Sequence, residues 1–247
     1  MAFLKPQKHF NKSTGVCPLY RALSKLSFCS RIKAKQLIRL GLVAVDGRKT
    51  LDPAQPVNFQ RDRITVRGEI VKPKAFIYLA LNKPVDFLVS RKRECGSRTI
   101  FELIPKNIDT GLRFAGRLDK DSRGLLILSN HNDFLNRISS DKENVAKFYR
   151  VKVDRELSES AVTEFEHGVE IKDVNGSKSM TLPCLIKSLG NRTYEIELRQ
   201  GLNRQIRRMF EHFDSNVLDL FRYRIGKLEI GDLRESEFRI IRPQDVI

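Results

Sequence analysis

Residues 114–131 read Phe-Ala-Gly-Arg-Leu-Asp-Lys-Asp-Ser-Arg-Gly-Leu-Leu-Ile-Leu-Ser-Asn-His, so a charged loop leads directly into an apolar run. The apolar residues Leu125 to Leu128 follow Gly124 and predict a strand that is buried on both faces. Gly116 permits a backbone turn that other residues resist, and such a turn can direct the Asp119 carboxylate into a cleft. Because sites are often built on loops that a rigid strand holds, this stretch is the first candidate site.

The charge of the chain predicts a polyanionic partner. Its 247 residues include 46 Lys and Arg against 30 Asp and Glu, which gives a net charge of +16. The first 50 residues hold 11 basic residues and one acidic residue. Such asymmetry is typical of proteins that bind nucleic acid. Since the sequence contains no stretch with the length of a membrane span and no apolar secretory signal, we expect a cytoplasmic protein without a membrane partner.

The cysteines and histidines do not have the spacing of a metal site. The four cysteines include no Cys-x-x-Cys pair, and the four histidines include no close ligand pair. We therefore expect neither a zinc site nor a disulfide framework.

The N-terminal region predicts a small basic module. Residues 1–15 are polar and basic without an apolar period, which predicts a flexible tail. Ser30 can cap a helix that runs from Arg31 to Leu40. One face of this helix is apolar, and the neighbouring face repeats a basic residue every four positions, which predicts contacts to RNA phosphates. These basic residues are Arg31, Lys35 and Arg39.

A proline flanked by lysines in the segment Val71-Lys-Pro-Lys predicts a linker between two domains. We therefore divide the chain into a tail (1–15), a small domain (16–72) and a larger domain (73–247). In the larger domain predicted strands outnumber helices, and helices connect few of them. This pattern predicts an α+β fold with a largely antiparallel mixed sheet that is flanked by helices.

Three separated motifs carry a resemblance to a known family. Gly-Arg-Leu-Asp at 116–119, followed by Lys-Asp-Ser-x-Gly-Leu, resembles the catalytic signature of RNA pseudouridine synthases, in the subfamily that modifies ribosomal RNA. The stretches Lys-Phe-Tyr-Arg-Val at 147–151 and Gly-Leu-Asn-Arg-Gln-Ile-Arg-Arg-Met at 201–209 agree with it in the expected order. Such a set is far more specific than one motif. Within the subfamily the similarity is greatest to the type termed large-subunit pseudouridine synthase F, from Leu19 onward.

The small domain resembles the RNA-binding module named after ribosomal protein S4, over roughly Leu19 to Val71. The order of two helices, a strand, Asp-Gly and a second strand matches that module. Ser27 stands where the pattern usually has a glycine. In the larger domain Asp86 likewise replaces the glycine of the subfamily's Asn-Lys-Pro-x-Gly.

The resemblance implies the roles of three catalytic residues. Asp119 matches the nucleophilic aspartate, and Tyr149 matches a tyrosine that stacks on uracil. Arg207 matches an arginine that we expect to pair with the Asp119 carboxylate, since an ionised aspartate in a closed pocket needs a cationic partner. The residues alone do not separate Asp119 from Asp121, which we expect to brace the loop. The isomerisation needs no metal and no other cofactor.

We expect further basic residues of the larger domain to bind RNA, because they lie near the predicted site or in a basic loop. They are Lys83, Arg117, Lys120, Arg204 and Arg208. The resemblance implies a monomer that acts on a stem-loop of 23S ribosomal RNA, with a transfer RNA anticodon loop as the alternative substrate. Two other functions stay open: a catalytically silent RNA-binding protein and a carboxylate-dependent nucleoside hydrolase.

Overall fold

The computed structural model describes residues 15–72, 75–94, 96–108, 111–140, 143–172 and 176–247. The predicted tail therefore lies outside the described residues, except for Gly15, and so does the Pro73-Lys74 part of the predicted linker. The described residues form two compact units, and the smaller comprises those from Gly15 to Ile77 together with Asn130–Asn132. None of the described helices is long and apolar enough to cross a membrane.

The smaller unit combines two short helices with short strands. Its elements are β1 (Val16–Pro18), α1 (Leu19–Lys25), α2 (Arg31–Arg39), β2 (Val43–Val45), β3 (Arg48–Lys49), β4 (Pro56–Asn58), β5 (Ile64–Val66) and β6 (Glu69–Ile70). The strands form a sheet of order β3-β2-β5-β6 and a separate β1-β4 pair. Ser30 caps α2 as predicted, because its side chain accepts a hydrogen bond from the Lys33 amide. Ser27 has a φ of +56°, the left-handed conformation for which the usual glycine is suited.

The larger unit is built around one sheet. Its elements are β7 (Tyr78–Lys83), β8 (Phe87–Leu88), β9 (Arg98–Thr99), β10 (Arg113–Ala115), β11 (Arg123–Ser129), α3 (Asn132–Ser139), β12 (Lys147–Val153), α4 (Glu159–His167), β13 (Glu170–Lys172), β14 (Lys178–Met180), β15 (Leu185–Gly190), β16 (Thr193–Leu198), α5 (Gln205–Glu211), β17 (Val217–Ile225), β18 (Leu228–Glu229) and β19 (Phe238–Ile240). Two 3-10 helices, Ile100–Leu103 and Pro243–Asp245, complete the described elements.

The sheet order is β15-β16-β12-β17-β11-β7-β19, and β10 and β18 pair at its margins with β11 and β17. Within the described part of this sheet only the β11-β17 pair is parallel. The prediction of an α+β fold with a largely antiparallel mixed sheet is therefore confirmed.

Strand β11 lies inside the sheet and is covered on both faces, as its apolar run predicts. Leu125 to Leu128 have no solvent exposure. Leu125 and Ile127 pack with Phe134 of α3 in one apolar core. Complete burial of such side chains contributes roughly 1.5–3 kcal/mol each. The strand is thus a rigid support for the loop that precedes it.

The sequence pattern predicts short strands at Val217 to Leu220 and Tyr223 to Ile225 and a helix that Asn203 caps, and both predictions are wrong. Residues Val217–Ile225 form one strand, β17, which pairs with β12 along its length with two register shifts. Asn203 does not cap α5. Arg204 occupies the capping position in the left-handed conformation, and the Asn203 side chain instead accepts a hydrogen bond from Arg208.

Candidate active site

The loop between β10 and β11 carries the predicted nucleophile. Gly116 begins it with a φ of +68°, where a side chain would be strained. Leu118 is buried, whereas the Asp119 side chain is 30% exposed. The Ser122 amide donates a hydrogen bond of 3.1 Å to the Asp119 carbonyl oxygen and closes the turn. This hydrogen bond therefore holds the turn closed and leaves the Asp119 carboxylate accessible.

Asp119 borders a cleft of about 290 Å³ in the larger unit. Tyr149 of β12 and Arg222 of β17 line this cleft from the sheet, and Arg204 and Gln205 line it at the start of α5. The structure therefore brings Asp119 and Tyr149, which are separated in the sequence by β11, α3 and the start of β12, into one site. The volume is at the lower end of the range for small-ligand pockets, about 300–1,000 Å³.

A transverse row of residues, which are paired with one another across four neighbouring strands, supports the cleft. Gly124 pairs with Lys83 on one side and with Arg222 on the other, and Arg222 pairs with Tyr149. A Cβ atom on Gly124 would lie 2.3 Å from the Arg222 carbonyl oxygen, so only glycine permits this approach of β11 to β17. Because cross-strand partners share a face of the sheet, Arg222 and Tyr149 meet on the cleft side.

Lys83 does not lie where an RNA phosphate could reach it, so its predicted role in RNA binding is wrong. The side chain has no solvent exposure. Its ammonium donates hydrogen bonds to the carbonyl oxygens of Pro84, Lys120 and Ser122, at 2.9, 3.3 and 2.6 Å. Two of these acceptors belong to the Asp119 loop. Lys83 therefore holds this loop against the sheet.

Burial lowers the pKa of Lys83 to about 8, although the Asp121 and Asp119 carboxylates favour the charged form. The neutral amine has two N–H donors for three carbonyl oxygens. We therefore expect the catalytic rate to fall as the pH rises through about 8, because the Asp119 loop loses part of its support. Single-turnover rates over roughly pH 7 to 9 measure this effect.

The pH dependence of folding stability distinguishes this loss of catalytic rate from a loss of rate by unfolding. The pKa of Lys83 in the folded protein lies below its unfolded value of about 10.4, so the unfolded chain binds more protons between these two values. The contribution of Lys83 to folding stability therefore increases with pH in this window. Deprotonation of Lys83 does not unfold the protein, so unfolding does not explain the lower rate. Lys83→Met, which has no ammonium, should be slow without a decline near pH 8. A flat wild-type profile would contradict the assignment.

The predicted ion pair between Arg207 and Asp119 is also wrong. The Arg207 guanidinium is 8% exposed and lies 3.2 Å from the Asp121 carboxylate. It also donates to the carbonyl oxygens of Val217 and Asp121, at 2.9 and 3.1 Å, and to the Ser122 hydroxyl at 3.3 Å. Arg207 lies on the buried side of α5, so its side chain points to the base of the loop and not to its tip. Arg207 and Lys83 therefore both hold the Asp119 loop, through different acceptor atoms.

Arg204 takes the position beside Asp119 that was predicted for Arg207. Its Nη1 lies 3.6 Å from the Asp119 carboxylate and 3.5 Å from that of Asp121. The left-handed backbone of Arg204, with φ +49°, turns this side chain toward the loop. An ion pair of this length and exposure contributes little to stability, roughly 0–1 kcal/mol. It can therefore exchange for another partner at small cost.

The remaining basic residues predicted to bind RNA are on the surface. Arg117 and Lys120 are exposed on either side of Asp119, and the Lys120 carbonyl oxygen accepts a hydrogen bond from the Asp86 amide. Arg31, Lys35 and Arg39 of α2 are exposed in the smaller unit. Their positions are compatible with phosphate contacts, which stay a prediction, as does the partly exposed Arg208.

Sequence reasoning missed Arg222. The signal was present, because Leu220 and Arg222 lie two positions apart and therefore share one face of the strand, and Leu220 is an apolar, buried residue. A charged residue at such a position needs a partner or a function. The bulge that separates Phe148 from Tyr149 in the pairing with β17 was not predictable from either strand.

Comparison with known proteins gives the family. The model of the RNA pseudouridylate synthase family matches residues 77–212, a range that includes Asp119, Tyr149 and Arg207. The chain belongs to this family. The S4 domain model matches residues 18–64 in the smaller unit. The predictions of an RNA pseudouridine synthase, which is an isomerase, and of an S4 domain are therefore confirmed.

Relatives cover nearly all of the chain. The dual-specificity RNA pseudouridine synthase RluF of Escherichia coli K12 is 32% identical over 93% of this chain and 77% of its own length. The uncharacterized RNA pseudouridine synthase YtzG of Bacillus subtilis is 28% identical over 92% of this chain and 96% of its own. A crystal structure of a pseudouridylate synthase superposes with a TM-score of 0.68 at 25% identity, and covers 93% of this chain and 97% of the other.

Proposed function

We propose that this RNA pseudouridine synthase isomerises a uridine in a stem-loop of 23S ribosomal RNA, with Asp119 as the nucleophile. One observation carries the catalytic assignment: Asp119 borders a cleft that Tyr149 also lines, on a loop held by buried side chains. The subfamily resemblance of the three motifs supports ribosomal RNA as the substrate, and the S4 domain supports a second contact to the RNA.

The chemistry requires a carboxylate and exclusion of water. The C1′–N1 bond of the uridine breaks, N1 keeps the electron pair, the uracil turns, and C5 forms a new bond to C1′. The C5 proton is lost and N1 gains a proton, so the atoms balance without a redox step. The Asp119 carboxylate can begin the reaction at C1′ of the sugar or at C6 of the base, and both routes need it ionised.

Tyr149 and the rim residues complete the proposal. A uridine reaches Asp119 only after it leaves its base stack, as in other enzymes that act on a base. The Tyr149 ring then provides a surface on which the uracil stacks and turns. The exposed Arg117 and Lys120 contact the phosphates of the flipped nucleotide. An RNA phosphate can also draw Arg204 away from its long, half-exposed contact with Asp119 and free the carboxylate.

A transfer RNA anticodon loop is a second candidate substrate. The specific observation in its favour is that the Escherichia coli relative is a dual-specificity RNA pseudouridine synthase. An anticodon loop also offers a single-stranded uridine at the end of a stem, which lowers the cost of flipping.

Pseudouridine mapping tests the substrate. Total RNA is compared between a strain that lacks this protein and the same strain with the wild-type or the Asp119→Asn protein. We expect a 23S site that is modified only with the wild type. A site in transfer RNA alone would replace the ribosomal assignment. Release of tritium from C5-labelled uridine in RNA separates isomerisation from a silent RNA-binding protein and from a nucleoside hydrolase, neither of which releases it.

Removing the basic side chains of α2 should weaken RNA binding and reduce its salt dependence. Arg31, Lys35 and Arg39 are exposed, so their joint replacement by alanine leaves the core unchanged. If all three contact phosphates, the slope of log K against log salt decreases by about 2 to 3. Binding isotherms at several salt concentrations measure this slope.

The matched control replaces three exposed lysines on strands of the larger unit by alanine. They are Lys152, Lys172 and Lys187. We expect a smaller change in slope for this control, although the change in net charge is the same. Equal slopes for the two triple variants would mean that α2 does not contact RNA specifically.

A further inference from the structure

Arg222 is a buried guanidinium whose hydrogen bonds are incomplete. The residue is 2% exposed in β17. Its Nε donates to the Leu125 carbonyl oxygen at 2.8 Å, and Nη1 makes a long contact of 3.5 Å to the Arg117 carbonyl oxygen. Nη2 is buried and has no hydrogen-bond partner among the described residues. An unpaired buried donor is unfavourable for folding, and more so when the group is charged.

The nearby carboxylates do not compensate this charge. Asp119 and Asp121 make their ion pairs with Arg204 and Arg207, and no ion pair of Arg222 occurs within the described ranges. Lys83, in the same transverse row, adds a second buried cation. The part of the cleft that Arg222 lines is therefore positive and holds a donor without an acceptor. A buried polar group in this state calls for a functional explanation.

We propose that Arg222 is a catalytic residue that donates a hydrogen bond from Nη2 to a carbonyl oxygen of the target uracil. The inference rests on the proposed function. Arg222 is the cross-strand partner of Tyr149, and both line the cleft, so a uracil stacked on the Tyr149 ring lies next to the guanidinium. The unpaired Nη2 group carries N–H donors that can bind a carbonyl oxygen of the base. The buried position favours the base over a phosphate, because phosphates bind several donors and the exposed Arg117 and Lys120 provide them at the rim.

The hydrogen bond has a catalytic effect because the oxygen gains charge. When the C1′–N1 bond breaks, the electron pair on N1 spreads over O2 and O4 of the uracil. If Asp119 instead adds to C6, the displaced electron pair reaches O4. In either route a preorganised cation binds the oxygen more strongly after the electrons move than before. The hydrogen bond also leaves the uracil held while it is detached from the sugar.

The test combines protein and RNA changes in a synthetic stem-loop that carries the mapped uridine. Single-turnover rates are measured for the wild type and Arg222→Met with uridine, 2-thiouridine or 4-thiouridine at the target position. Sulfur is the weaker acceptor. We expect Arg222→Met to lower the rate on uridine by about 100-fold, as for the loss of one preorganised donor. One thio substitution should slow the wild type about 10-fold and leave Arg222→Met nearly unaffected, because coupled changes are not additive.

Other outcomes overturn the inference. Equal slowing of both proteins by each thio substitution would mean that Arg222 does not contact the base. A methylphosphonate at the 5′ side of the target that slows only the wild type would assign Arg222 to a phosphate. A lower melting temperature with the same rate loss on every substrate would make Arg222 a structural brace for Leu125 and Arg117.

Two controls keep the result interpretable. If Arg222→Met does not fold, as judged by its thermal unfolding, the same comparison uses Arg222→Gln and Arg222→Lys, which can still donate to the Leu125 carbonyl oxygen. Failure of the wild type to form pseudouridine in any RNA would overturn the proposed function, and the inference with it, before any variant is compared. Failure of the inference alone leaves wild-type activity intact.

Discussion

Asp119→Asn abolishes pseudouridine formation and leaves the affinity for a stem-loop RNA within about 3-fold of the wild type. The amide keeps the shape of the side chain but has no nucleophilic charge, so we expect a rate loss of at least about 10⁴-fold, comparable with the removal of other enzyme nucleophiles. Binding changes little because the contacts to RNA come from other residues. Single-turnover rates and equilibrium binding on the same RNA measure the two effects separately.

Asp121→Asn is the matched control, since it makes the same change two residues away. Asp121 pairs with Arg207 at 3.2 Å, and its side chain is 51% exposed. We expect a loss of about 10-fold or less, because Arg207 keeps its hydrogen bonds to backbone carbonyl oxygens. If Asp119→Asn turns over at the wild-type rate, or if the two variants behave alike, Asp119 is not the nucleophile.

Arg207→Lys lowers turnover by about 100-fold and also destabilises the larger unit. The guanidinium joins the Val217 carbonyl oxygen in β17 to the carbonyl oxygen of Asp121 and the hydroxyl of Ser122 in the loop. A lysine has one nitrogen and cannot span these acceptors. A hydrogen bond to a charged group contributes about 1.5–3 kcal/mol, so the loss of one or more of these bonds should lower the free energy of unfolding by at least that amount. The rate falls because the Asp119 carboxylate is no longer held in position.

Arg204→Lys and Arg208→Lys make the same change at an exposed and a partly exposed position of the same segment. Arg204 makes only long contacts to carboxylates, and Arg208 donates to a side chain at the surface. We expect less than about 10-fold loss of turnover and no measurable loss of stability for either. If all three lysine variants have similar rates and stabilities, Arg207 has no special role in holding the loop.

Sequence patterns correctly predicted those elements that depend on residues close together in the sequence. The apolar run Leu125 to Leu128 became a buried strand, and Ser30 became a helix cap, because burial and capping depend on neighbouring residues. The candidate nucleophile and Tyr149 came from the resemblance. Composition and spacing indicated only that a charged loop precedes a buried strand.

The errors concern residues whose roles depend on distant partners. Lys83 has the charge of an RNA-binding residue, but its environment comes from Lys120 and Ser122, which a strand pairing brings beside it. The choice between Arg204 and Arg207 as the partner of Asp119 depends on the left-handed turn at Arg204, and spacing along a helix does not encode this turn. A formal charge thus predicts an interaction but not its partner.

The position of β17 in the sheet affects when the chain can complete its fold during synthesis. This strand lies between β12 and β11, although it is made after both, and it supplies Arg222 and the Val217 carbonyl oxygen that Arg207 binds. A nascent chain that ends before Val217 has β7 with β11 on one side and β12 with β15 and β16 on the other, and no strand pairing among the described residues joins the two groups. Domains usually fold as units while the ribosome extends the chain. We therefore expect the chain to stay inactive during its own translation until β17, in the last eighth or so of the sequence, has left the ribosome, whose RNA is its proposed substrate.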